Sequence, residues 1–156
     1  MPAKLNAVLI APEIPQNTGN IGRLCVNSET NLHLIRPLGF SLEESKVKRA
    51  GLDYWSDLNL HLYDCWDEFL EKRRPERMFF ISTRGRRSVY DVVYEAGDYL
   101  VFGNETGGLP DDFYIRYTGS LYKIPMPGQG ARSLNLANST AIVVYEALRQ
   151  INDWNK

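Results

Sequence analysis

The sequence predicts an α/β fold, a mostly parallel sheet flanked by helices, and two observations carry that prediction. Short apolar runs alternate with segments of helical spacing, the pattern of strands joined through helices and buried on both faces. Three long loops rich in Gly, Pro and Asn, at residues 12–22, 103–110 and 125–134, also follow apolar runs. Open α/β sheets place ligand-binding loops there, at the carboxyl ends of their strands.

Taken in order, Leu5 to Ala11 is a short apolar run stopped by Pro12 and reads as a buried strand. Helical spacing from Ile21 to Ser28 predicts a helix, with Asn17 able to cap it. Leu32 to Ile35 is a second strand, closed by Arg36-Pro37. Ser41-Leu-Glu-Glu44 has the form of a capping box and predicts a helix over 42–50. Leu58 to Tyr63 reads as a strand, after which Asp64 caps a helix reaching about Arg73. Met78 to Ser82 and Tyr99 to Phe102 are further buried strands, and Pro110-Asp-Asp opens a helix with acids at its positive end. Leu121 to Ile124 is the last strand. Leu134, Ala137, Ala141, Val144, Leu148 and Ile151 then recur at helical spacing, with Ser133 placed to cap and Asn135 in the first turn.

A length of 156 residues, 44% hydrophobic and 24% charged, fits one globular domain over 1–156 with a single core. The apolar runs are too short for a membrane span, and Met1-Pro-Ala-Lys-Leu-Asn lacks the apolar stretch of a signal peptide. Cys25 and Cys65 form no CxxC pair, so a disulfide framework is not expected and a reducing cytoplasm is. With 18 basic and 19 acidic residues, net −1, composition lends no support to nucleic-acid binding. An RNA site would have to be a local patch, or one assembled from two subunits.

Several chemistries lack their residues. There is no GxxxxGK[ST], and Pro12-Glu-Ile-Pro-Gln-Asn stands where a dinucleotide fold needs GxGxxG. Gly128-Gln-Gly130 is a weak signal by itself. His33 and His61 lie in strand-like runs outside any cluster of Cys and His, which favours structural roles over metal binding, and neither is placed for Ser-His-Asp chemistry. What remains is the loops. Gly103, Gly107 and Gly108 let the backbone approach a ligand closely, with Glu105 the one carboxylate among them; the same loop also reads as a plain glycine-rich turn. Arg132, Ser133, Asn135 and Asn138 crowd hydrogen-bonding groups at a helix N-terminus, although a capped helix after a flexible loop reads as well. Arg23 follows the first loop and by default is a solvated helical arginine. From the residues alone, three ligand-capable loops surround one edge of a sheet.

Together the loops resemble the three motifs of the SPOUT superfamily of trefoil-knotted methyltransferases. The matching segments are Asn17-Thr-Gly-Asn-Ile-Gly-Arg23, Phe102-Gly-Asn-Glu-Thr-Gly-Gly-Leu-Pro110, and Ile124-Pro-Met followed by Arg132-Ser-Leu-Asn-Leu-Ala-Asn-Ser139. The compact length, with Pro12-Glu-Ile-Pro15, Arg49-Ala-Gly-Leu-Asp-Tyr54 and Val144-Tyr-Glu-Ala147, is similar to the TrmL (YibK-like) branch of tRNA (cytidine/uridine-34) 2'-O-methyltransferases. Pro127-Gly-Gln-Gly-Ala131 is richer in glycine than that branch pattern.

The resemblance implies a deep C-terminal trefoil knot formed by about residues 78–150, a homodimer, and S-adenosyl-L-methionine as methyl donor without a metal. Carried over, cofactor contacts fall at Ile81, Gly103, Ile124 and Ser133, with Ser82, Thr83, Glu105 and Leu134 beside them. The implied reaction is methylation of the wobble ribose of tRNA. Arg23 activates the hydroxyl, and Asn17 and Asn135 orient the groups around it. A related enzyme acting on another tRNA position or on rRNA, or a non-catalytic RNA-binding module, keeps the same motifs. For RNA contact, basic residues cluster at Lys46–Arg49, at Lys72–Arg74 with Arg77, and at Arg84–Arg87. The last follows the Ile81–Thr83 strand end, so Arg86 and Arg87, together with Arg132, are the expected RNA-contacting residues.

Overall fold

The computed structural model describes residues 4–42, 55–130 and 132–154. The expected helix over 42–50 and the Lys46–Arg49 cluster therefore lie outside the described residues, save Leu42. In chain order the elements are β1 (Asn6–Ile10), α1 (Pro15–Asn27), β2 (Asn31–Ile35), β3 (Leu60–Tyr63), α2 (Trp66–Arg73), β4 (Met78–Ile81), β5 (Arg87–Ser88), β6 (Tyr99–Phe102), α3 (Phe113–Arg116), β7 (Leu121–Lys123) and α4 (Leu136–Asn152). Short 3-10 turns at Trp55–Asp57, Val89–Asp91 and Thr118–Ser120 complete them.

The strands form one seven-stranded sheet in the order β3-β2-β1-β6-β4-β7-β5, and every pairing is parallel. The expected fold class holds, with a sheet more uniformly parallel than expected. Successive side chains on a strand face opposite ways, so each central strand feeds two cores. On one face Ala7, Leu9, Leu100 and Phe102 pack with Ile21 and Cys25 of α1 and with Val143, Val144 and Ala147 of α4. On the other, Val8, Ile10, Val101 and Phe80 meet an aromatic cluster of Trp66 and Phe69 from α2 and Phe113 from α3. Trp66 and Phe69 stack with centroids 5.0 Å apart, and Phe80 meets Phe113 edge-on at 5.7 Å.

Burial sets two polar clusters inside this frame. His33 is fully buried, 2.9 Å from the Tyr63 hydroxyl through Nδ1 and 2.9 Å from Asn6 Oδ1 through Nε2. Asn6 Nδ2 donates to the carbonyls of Lys4 and Gly97, leaving its Oδ1 as an acceptor. His33 therefore carries its proton on Nε2 and accepts the tyrosine O–H at Nδ1. Burial first, then the Arg73 guanidinium and His61, push its pKa down to about 3. Elsewhere Arg77 grips the buried Asp98 through two bonds of 2.7 and 3.3 Å and also donates to the Val93 carbonyl. Arg77 is thus structural, and its neighbours Lys72 and Arg73 bond Glu68 and the Tyr99 hydroxyl.

Element boundaries correct four expectations. α1 begins at Pro15, a residue suited to a first helical position because it has no N–H to satisfy, so Asn17 lies within the first turn and does not cap the helix. α4 is capped by Asn135, whose Oδ1 accepts from the N–H groups of Ala137 and Asn138, and not by Ser133. The residue capping α2 is Cys65, without a side-chain bond, and not Asp64. The helix expected to open at Pro110 begins instead at Phe113, after Asp112, and runs one turn over Phe113–Arg116.

Candidate active site at the carboxyl ends of four strands

The chain segments that leave β1, β4, β6 and β7 converge on one cavity of about 450 Å³. This is where an open parallel sheet holds its ligand. Nonpolar walls come from Ile81, Phe102, Leu109, Ile124, Met126, Leu134 and Leu136. Polar groups come from the 103–108 loop and from Asn17, Ser133, Asn135 and Ser139. The mixture suits a flat heterocycle held by main-chain groups, with a polar tail leading out.

Glycine geometry makes the second loop possible. Asn104 and Gly108 exchange both main-chain bonds, at 3.1 and 3.2 Å, and Asn104 Oδ1 accepts from the Gly107 amide at 2.7 Å. Inside that closed turn a Cβ on Gly103 would lie 2.0 Å from the Gly108 carbonyl carbon. Gly108 holds φ +70°, the left-handed region where glycine is favoured.

A chain of hydrogen bonds ties the loops together. Glu105 accepts from the Glu13 and Ile14 amides at 2.9 and 2.7 Å, and from Asn17 Nδ2 at 3.3 Å. These contacts lie at the start of α1, whose first turn has no acid of its own. A carboxylate is favoured there because the amides are unpaired and the helix end is partly positive. Reciprocally, Glu13 Oε1 accepts from the Thr106 amide and hydroxyl at 3.1 and 2.6 Å. Asn135 Nδ2 donates to Asn17 Oδ1 at 3.0 Å. The three loops are thereby one hydrogen-bonded body, and Asn17 is buried within it.

Of the residues singled out in the sequence, Asn17, Ile81, Gly103, Glu105, Ile124, Ser133, Leu134 and Asn135 all line this cavity. Arg23 does not; it is exposed on α1. Arg132 is exposed outside the cavity as well. Arg86 lines a smaller adjoining cavity. Arg87 lies over the Tyr122 ring at 4.7 Å and donates to the Gly119 carbonyl at 2.5 Å. The residues alone did not point to Arg84, Tyr114 and Met126, which also line the main cavity, nor to the Glu13–Thr106 bond. Arg84 belonged to a flagged basic run and Met126 to the Ile124-Pro-Met segment, but nothing local marked Tyr114 or paired Glu13 with Thr106. Among the described residues no group of three His, Cys, Asp or Glu side chains could hold a metal ion. No helix among them is long and apolar enough to cross a membrane.

Known proteins of similar sequence and shape are methyltransferases. A tRNA (cytidine(34)-2'-O)-methyltransferase of Burkholderia ambifaria is 47% identical over 148 residues, covering 93% of this chain and 94% of its own. One of the same name from Saccharophagus degradans is also 47% identical, covering 94% and 95%. A solved structure from work on 2'-OH methylation of C/U34 on tRNA superposes with a TM-score of 0.92 at 48% identity, covering 98% and 99%. The AviRb methyltransferase of Streptomyces viridochromogenes, solved with AdoMet, superposes at 0.81 with 26% identity, covering 96% of this chain and 61% of its own. The SpoU rRNA methylase family matches residues 4–145, and with the convergent cavity and its three loops this chain belongs to that family.

Proposed function

We propose that this protein transfers a methyl group from S-adenosyl-L-methionine to the ribose 2'-hydroxyl of the wobble nucleotide, cytidine or uridine 34, of tRNA. The observation carrying this reading is the single cavity where the three loops meet, in a chain 47% identical over 148 residues to a protein named for that reaction. The cavity fits the cofactor by its donor set: nonpolar side chains from three strand ends beside a glycine-rich turn whose amides and carbonyls are close at hand. In this reading Ile81, Gly103, Ile124, Ser133 and Leu134 hold it. When bound, it supplies a methyl group already activated on a sulfonium.

The ribose hydroxyl is the partner that needs help, being a poor nucleophile until its proton or its developing charge is dealt with. Arg23 supplies that help as a fixed cation, since a guanidinium offers N–H donors and no acceptor and is a poor base. Asn17 and Asn135 are positioning residues, because their carboxamides are engaged in the bonds that lock the loops. Arg23 lies outside the cavity of its own chain, so it serves the site of a second copy in a homodimer. Exposed nonpolar side chains support that assembly: Ile14 beside α1, and Tyr145 on α4 with Trp154 just beyond it. α1 and α4 pack on each other, so Tyr145 lies on that helix pair and Ile14 and Trp154 at its ends.

The same reading includes the deep trefoil knot over about 78–150, within one domain spanning 1–156. It is supported by α4 leaving β7 and returning to pack near β6, two places away in the sheet. Arg86 and Arg132 face RNA, while Arg87, held against the Tyr122 ring and the Gly119 carbonyl, anchors the edge of that surface. A cytoplasmic location follows from a tRNA substrate. Mass spectrometry of tRNA nucleosides from a strain lacking the gene tests the reaction: the 2'-O-methylated nucleotide at position 34 should vanish and return with the wild-type gene. Retention of that nucleotide would overturn the reading.

A further inference from the structure

We propose that Arg84 and Arg86, with Tyr114 and Thr118, form a phosphate pocket that seats a backbone phosphodiester of the RNA substrate beside the methyl-transfer cavity. The proposal rests on the methyltransferase reading above. A second cavity of about 150 Å³ is lined by Arg84, Arg86, Tyr114, Thr118 and Leu121. Arg84 and Tyr114 line the main cavity too, so the two spaces share a wall.

Among the described residues that line the smaller cavity two are arginines and none is acidic. Such a space favours an anion with several acceptor oxygens. Arg84 is held ready: its guanidinium lies 3.7 Å over the Tyr114 ring. The Tyr114 hydroxyl is 3.1 Å from Ser82 Oγ, which also accepts from the Arg84 amide at 3.1 Å. Between the two arginines, Gly85 is pressed against β7, where a Cβ would fall 2.3 Å from the Tyr122 carbonyl carbon. That close approach fixes the backbone from which both arginines emerge. Thr118 adds a hydroxyl able to donate. Arg87, next in sequence, is engaged with Tyr122 and Gly119 and takes no part. The run Arg84-Gly-Arg-Arg87 thus divides into two residues that border the pocket and one that anchors the strand edge.

The test measures affinity for an anticodon stem-loop RNA across a salt series, with Arg86→Gln, Arg84→Gln, Arg87→Gln and the charge-keeping Arg86→Lys. Thermal melting confirms that each variant is folded. For single-stranded RNA each phosphate contact contributes about 0.7 to the slope of log K against log salt. Arg86→Gln and Arg84→Gln should each lower the slope by about that much and weaken binding roughly 5- to 10-fold. Arg86→Lys should keep the slope, and Arg87→Gln should leave it unchanged. Calorimetry with S-adenosylhomocysteine separates a second anion source, the cofactor's carboxylate. If Arg86→Gln weakens that ligand while the RNA salt slope stays as in wild type, the phosphate assignment is overturned. An unchanged slope in both glutamine variants overturns it as well. Absence of RNA binding by the wild-type protein would instead count against the methyltransferase reading.

Discussion

The buried His33 shows how one residue couples this fold to pH. Its ring is neutral in the native state, with the pKa pushed down to about 3 from 6.5, chiefly by burial. An unfolded chain takes up that proton near the ordinary value. The histidine's stabilising contribution is therefore complete above pH 6.5 and is lost as the pH falls toward 3. The slope for one proton is about 1.4 kcal/mol per pH unit. Urea unfolding at about pH 7.5 and about pH 5 should show a lower midpoint at the acid end, and His61→Gln should retain most of that drop. A midpoint unmoved between the two conditions would mean that His33 is protonated in the folded protein. The same residue was legible in the sequence as structural, because an isolated histidine in an apolar run has no ligand partners nearby. Its partners Asn6 and Tyr63 were not legible, since the sheet brings them together from different strands.

Among the elements, the start of α1 depends on a residue some ninety positions downstream. Glu105 takes the role of an N-terminal acid for that helix, so Glu105→Gln weakens one of the two carboxylate acceptors and removes the charge. The expected cost is about 1–2 kcal/mol of stability, read as a lower unfolding midpoint. S-adenosylmethionine affinity should fall with it, because the loop that carries Glu105 lines the cavity. Full affinity in the folded variant would detach the clasp from the site. Strands were well legible, since β1, β2, β4 and β6 are mostly buried and read as largely apolar runs. The polar, two-residue β5 gives no such signal. Helix starts were misplaced for a physical reason: Asn17, Ser133 and Asn135 are all good cap formers, and only the tertiary bonds to Glu105 and Asn17 decide which of them caps.

For the whole molecule, the role proposed for Arg23, which is exposed outside its own cavity, requires a site completed across two copies. Arg23→Ala and the cavity-blocking Leu134→Trp should each be inactive alone. Mixed at equal amounts and allowed to exchange, half of the dimers are heterodimers with one complete site, restoring about a quarter of wild-type activity. No recovery, with heterodimers verified by native mass spectrometry, would place Arg23 in the same site as its own cavity. The sheet order that puts β6 between β1 and β4 also governs how the chain reaches this state. Asn6 pairs with Tyr99, so the first strand waits for nearly a hundred residues before its second neighbour exists. Pairings this remote fold slowly, and until Phe102 has left the ribosome one edge of β1 lies open to any passing strand.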